Sequence, residues 1–166
     1  IGTMAICWTF LLSTRFSLFN TLFGGLDKVY HLHKTMGKIS YSCVILHILF
    51  QLARHAPNLN AMVSLLVPKK LGGLEFGIAA FIIFTLLLAL TLWIQIPYHI
   101  WKRTHELFIV VLVLSFLHIS FINKHVNNSY ALSIWLYGWI TAAALAYLYI
   151  RFMYYYWGPR YFYRVV

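Results

Sequence analysis

The stretch LEFGIAAFIIFTLLLALTLWIQI, from Leu74 to Ile96, decides the class of fold. It carries a single charge, Glu75, in its first turn, and Pro97 stops it. A helix needs about 20 apolar residues to cross a hydrocarbon core of about 30 Å, and this one has them. The rest of the chain agrees. Of its 166 residues, 62% are hydrophobic and 10% charged, where a soluble domain carries roughly 25% charge. Aromatic residues reach 19%. Polar surface on that scale cannot cover a soluble globule, and so much apolar surface excludes intrinsic disorder. The composition therefore describes an all-α polytopic membrane protein.

Working outward, four further segments are expected. Ile1 to about Thr14 is apolar but short, and reads as the remnant of a truncated helix. Phe16 to Leu26, with Gly24-Gly25, is expected to be a loop or interfacial turn. A second helix runs from about Tyr30 to Arg54, ended by Pro57 and Asn58. Residues 57 to 73 form a connection containing Pro68, Lys69, Lys70 and Gly72-Gly73. Beyond the Leu74–Ile96 helix, the fourth runs from about Trp101 to Phe121 and the fifth from about Tyr130 to Tyr155. Asn123 to Ser129 is the turn between them, and Gly158-Pro159 breaks the last. Short connections make sequential helices antiparallel neighbours in one bundle of five to six spans.

The net charge of +10 does not indicate nucleic acid, because the cations are spread between apolar runs rather than gathered on one face. They serve instead to orient the bundle. Arg15, Lys28, Lys34, Lys38, Lys102, Arg103, Arg151, Arg160 and Arg164 fall on one side, and Arg54, Lys69, Lys70 and Lys124 on the other. The richer side is expected to be cytoplasmic, together with the C-terminus. Cys7 and Cys43 lie in separate apolar runs and read as packing residues, with no disulfide framework or CxxC pair.

Eight histidines outnumber three acids in a chain that can hardly solvate them. His31, His55, His99 and His125 fall at expected helix ends or loops and read as interfacial polar groups. His47 and His118 lie deep inside apolar helices, where an ionisable side chain is costly and points to function. His33 precedes His47 by 14 residues and His105 precedes His118 by 13. Each gap is a rise of roughly 20 Å. Two helices thus carry one His near the cytoplasmic face and one near the outer third. If they are neighbours, the four side chains form two stacked pairs, each able to supply both axial ligands of a haem iron. Two haems stacked along the membrane normal would divide the hydrocarbon barrier into short electron hops. Fourteen residues at about 100° each keep His33 and His47 on one face. Thirteen residues leave an offset of about 140°, so the fourth helix needs a kink or bulge. A zinc or copper site is disfavoured, because such sites gather three or four ligands with carboxylates or thiols. Gly37, one turn after His33, suits either close approach of a porphyrin or helix packing.

The residues His33-Lys34-Thr35-Met36-Gly37 and then His47 resemble the first haem helix of the ferric reductase-like transmembrane family, the membrane half of NADPH oxidases and ferric reductases. Leu26-Asp27-Lys28 resembles the loop entering that helix, and His105-Glu106-Leu107-Phe108 with His118 resembles the family's other haem helix. The resemblance implies six helices with the first missing here. It implies an inner haem b on His33 and His105 and an outer haem b on His47 and His118. It also implies a cytosolic FAD- and NADPH- (or NADH-) binding dehydrogenase domain, with residues 1–157 as the membrane domain and 158–166 as the linker towards that domain. Electrons would then leave at the outer face of the plasma membrane, to dioxygen giving superoxide.

Some residues bear on the acceptor. Gln51 stands where animal oxidases of the family carry a further His, which leaves a ferric or other metal reductase as the alternative. A haem subunit fed by quinol or a separate flavoprotein is a further alternative, although relatives of that kind tend to lack the His that is present here as His33. Arg54, two turns beyond His47, suits either an outer haem propionate or an interfacial anchor. Asn127-Asn128-Ser129 matches a glycosylation sequon, a pattern too short to weigh much. A channel or transporter is disfavoured by the absence of inverted repeats and of a charged path.

Overall fold

The computed structural model of the chain describes residues 1–56, 58, 63, 73–122 and 128–157. His125, Lys69, Lys70, Lys124, Asn127, Arg160, Arg164 and the expected linker 158–166 lie outside the described residues. The described elements are α1 (Gly2–Leu12), α2 (Ser17–Phe23), α3 (Leu26–His55), α4 (Gly73–Leu92), α5 (Tyr98–Glu106), α6 (Phe108–Ile122), α7 (Tyr130–Leu148), a π-helical segment (Tyr149–Met153) and α8 (Tyr154–Trp157). No strand occurs among the described residues.

Four helices are long and apolar enough to cross a membrane: Leu26–His55, Gly73–Leu92, Tyr98–Ile122 and Tyr130–Met153. Few of their residues are buried inside the protein, as expected where lipid covers the outer faces. The short α1 is the opposite case. Ala5, Ile6, Cys7, Phe10 and Leu12 are all buried, because α1 packs against both α3 and α7. Ile6, Cys7 and Phe10 meet Phe84 and Leu87 of α4, Val111 and Leu112 of α6, and Ile140, Ala143 and Ala146 of α7 in one core. The alanines let α7 come close, which is how helices gain contact where lipid offers no hydrophobic contrast. Cys7 and Cys43 are both free thiols.

Two local features differ from the sequence expectation, and a third, the break in the helix of His105 and His118, meets it. Residues 17 to 23 form a short helix rather than a loop, closed by Gly24 in the left-handed conformation (φ 74°). None of its residues is buried, so it lies outside the core. The helix carrying His105 and His118 is interrupted at Leu107, where Leu107 N–H donates to the Thr104 carbonyl and Val110 N–H to the Leu107 carbonyl. These are i→i+3 bonds of a 3₁₀ turn, which advances about 120° per residue instead of 100°. The extra rotation narrows the angular offset between His105 and His118, and so supplies the kink their spacing requires. The last span becomes π-helical from Tyr149 to Met153.

Helices α3 and α5–α6 carry the four internal histidines, but they do not pack against each other. α3 rests on α1, and α6 rests on α4. Packed helices stand 8–10 Å apart. Here α3 and α5–α6 are separated by a gap wider than such packing, although Tyr41 of α3 also touches Phe81, Phe84 and Thr85 of α4.

Candidate cofactor site

The gap is spanned twice, each time by a pair of histidine rings. His33 of α3 faces His105 of α5 with ring centroids 6.0 Å apart and ring planes at 76°. His47 of α3 faces His118 of α6 at 6.4 Å and 80°. Two imidazoles bound on opposite sides of one metal ion, each by a bond of about 2.0 Å, set their centroids about 6 Å apart. Ordinary ring pairs also fall in this range, so the separation alone does not decide. What distinguishes these pairs is how each ring is held.

His33 Nδ1 lies 2.9 Å from the Thr9 carbonyl at the end of α1. His118 Nδ1 lies 2.7 Å from the Gly73 carbonyl at the start of α4. A carbonyl oxygen can only accept, so Nδ1 carries the proton in both rings. In the neutral ring the lone pair is then on Nε2. A backbone carbonyl on Nδ1 is the usual partner of a metal-ligating histidine, fixing its tautomer and orientation. One member of each pair is prepared in this way.

The other two rings are held differently. His105 is stacked on Trp101 of the preceding turn (5.0 Å, 20°) and meets the edge of Phe108 (4.9 Å, 80°). Its Nδ1 is buried and has no hydrogen-bond partner. A buried ring nitrogen left unpaired is costly and calls for an unseen partner such as an ion. His47 is exposed on α3 beside the exposed apolar side chains Leu46 and Phe50, a surface that lipid would cover.

Two glycines shape the walls. A Cβ added at Gly77 would lie 2.5 Å from His118 Nδ1 and 2.6 Å from its Cε1. Only glycine lets α4 come this close to the ring. At Gly37 the reverse holds: an added Cβ would meet nothing within 4 Å. That open space adjoins His33, one turn away on the same helix face.

The donor set has a clear chemistry. No group of three or more His, Cys, Asp or Glu side chains that could hold a metal ion occurs among the described residues. Two histidine nitrogens fill only two positions of a six-coordinate ion, so a pair of this kind suits an ion that brings four ligands of its own. A tetrapyrrole supplies four such nitrogens, and neutral imidazole is a common axial ligand of haem iron. The residues present fit that group.

His31, His55 and His99 stand outside the two histidine pairs. His55 Nδ1 donates to the Gln51 carbonyl in the last turn of α3. His31 is exposed, and His99 is exposed on α5. Arg54 is exposed and lies seven residues beyond His47, on the same face of α3. Sequence reading missed Gly77 and Thr9. The signal for Gly77 was present, since Gly73 and Gly77 stand four apart at the start of an apolar helix, the small-xxx-small pattern of close helix contact. Thr9 contributes a backbone carbonyl, which no side-chain pattern announces.

Comparison with known proteins gives one match. A family model described as ferric reductase like transmembrane component matches residues 1–116. The match takes in His33, His47 and His105 and ends two residues before His118. A search of the curated proteins finds no match.

Proposed function

Because the chain belongs to the ferric reductase-like transmembrane family, a multi-pass membrane domain of oxidoreductase type, we propose that its four internal histidines hold two b-type haems that carry electrons across the membrane. One observation carries this reading. Two histidine pairs bridge an unpacked gap between α3 and α5–α6, and one ring in each pair donates Nδ1–H to a backbone carbonyl. His33 and His105 would hold the haem at the end with more cations, and His47 and His118 the haem at the other end.

Bound haem supplies a one-electron couple, ferric to ferrous, at each of two depths. The chain's own residues do the rest. Thr9 and Gly73 fix the tautomers that leave Nε2 free. Trp101 and Phe108 hold the His105 ring in place. The core of Phe84, Leu87, Val111 and Leu112 keeps water from the middle of the bundle, and low polarity there prevents charge from leaking to solvent. With the haems held by histidine pairs, an acceptor would be met at the end of the bundle that carries His47 and His118.

The cation asymmetry supports a plasma-membrane orientation with the His33 end and the C-terminus in the cytoplasm. Electrons would be loaded there by an FAD- and NADPH-binding domain, and dioxygen would accept them outside to give superoxide. Ferric iron is the competing acceptor. The full-length protein reconstituted in vesicles should yield two superoxide for each NADPH consumed, since NADPH gives two electrons and dioxygen takes one. Iron reduction insensitive to superoxide dismutase would assign ferric iron instead. His47→Ala should stop either transfer, and unchanged transfer in that variant would remove the outer haem from the route.

A further inference from the structure

A second concave feature lies outside the histidine gap. Tyr98, His99, Lys102, Arg103 and Glu106 of α5 and Arg151 of the π-helical segment line a half-open groove of about 370 Å³. On α5 these residues form one face, at 98, 99, 102, 103 and 106. His105 points roughly 90° away from the centre of that face at 100° per residue, so the groove is not the haem gap seen from its end. Three permanent cations face one acid. Among the described residues, no hydrogen bond or ion pair engages Lys102, Arg103 or Arg151.

Arg151 lies in the π-helical segment Tyr149–Met153 that follows α7, and its side chain is exposed on the groove. π-helical turns of this kind occur frequently at functional sites.

The surroundings are those of a membrane boundary. Tyr98 and Trp101 stack at 5.8 Å at the start of a spanning helix, where aromatic rings settle at headgroup level. Trp93 and Ile94 just before them are also exposed. We propose that this groove binds the phosphate of an anionic phospholipid from the leaflet on that side, with Lys102, Arg103 and Arg151 as its ligands and Tyr98 against the glycerol backbone. The ligand chemistry is a phosphodiester with one negative charge, and the groove has room for a headgroup.

The test uses native mass spectrometry of the purified chain, delipidated and offered phosphatidylglycerol or phosphatidylcholine in equal amounts. A phosphatidylglycerol preference of about tenfold is expected. It should disappear in K102Q/R151Q and, should that variant fail to fold, fall in R103Q. It should persist in K34Q, which removes an exposed cation of α3 outside the groove. Equal retention of both lipids by the wild type, or an undiminished preference in the groove variants, overturns the proposal. Inorganic phosphate offered alone at millimolar concentration separates the two sources of phosphate. No displacement of phosphatidylglycerol is expected, and full displacement would assign the groove to a soluble phosphate and overturn the lipid.

Discussion

Gly77→Ala isolates the histidine geometry from the rest of the bundle. The substitution adds one methyl group to an apolar helix, where alanine is the better helix former. It should therefore leave the helix itself intact or slightly firmer. The methyl carbon would stand 2.5 Å from His118 Nδ1, 2.6 Å from Cε1 and 3.2 Å from Cγ. Ordinary contact is about 3.5–4.0 Å, so the ring must retreat by about 1 Å. A metal–nitrogen bond tolerates only about 0.2 Å, and the 2.7 Å bond to the Gly73 carbonyl would be lost in the same movement. Losing such an outer partner costs 10- to 100-fold in metal affinity, and overpacking adds about 1–3 kcal/mol. The outer haem should bind at least about tenfold more weakly, while the His33–His105 pair at the other end is untouched. Haem-to-protein ratio by pyridine haemochromogen, with a redox titration to count the centres, reads this directly. One haem remaining out of two is expected. Two haems with unaltered midpoints in Gly77→Ala would refute the placement of His118 against α4.

Other expectations follow the same geometry. Gly37→Ala meets nothing within 4 Å in the bare protein, so apoprotein stability should hold. If the open space takes the inner haem's edge, that haem should bind about tenfold more weakly. Normal occupancy would place Gly37 outside the haem slot. His118→Ala should remove the outer haem and leave the inner one, read as a single remaining low-spin spectrum, and loss of both haems would show that the two ends are not independent. Arg54→Gln removes an exposed cation on the face of His47. A cation favours the more negative, reduced state, so the outer midpoint should fall by about 10–40 mV, the equivalent of about 0.2–1 kcal/mol. An unchanged midpoint would leave Arg54 as an interfacial anchor.

The spans were legible in the sequence because a bilayer admits few solutions. Backbone groups must be satisfied within each helix, so a run such as Leu74–Ile96 has little choice but to be helical. The histidine pairs were legible for a related reason. An imidazole as deep as His47 or His118 is conspicuous where nothing else titrates, and a rise of 1.5 Å per residue turns spacing into depth. What stayed hidden is set by tertiary contact. Leu107 is a good helix former, and nothing beside it announces a 3₁₀ turn. The turn arises where His105 stacks on Trp101 while α6 follows α4. The π-helical winding at Tyr149–Met153 has no residue signature either. Chain order left open whether the two His-bearing helices are neighbours; their rings meet in pairs while α1 and α4 take most of the helix packing.

The most direct measurement is haem stoichiometry with spin state on the purified chain after expression in haem-replete cells. Two haems per chain, both low-spin with bis-histidine spectra, are expected from the pairs His33–His105 and His47–His118. Fewer than one haem per chain, or a high-spin spectrum showing an open axial position, would contradict the assignment of those four histidines as paired ligands.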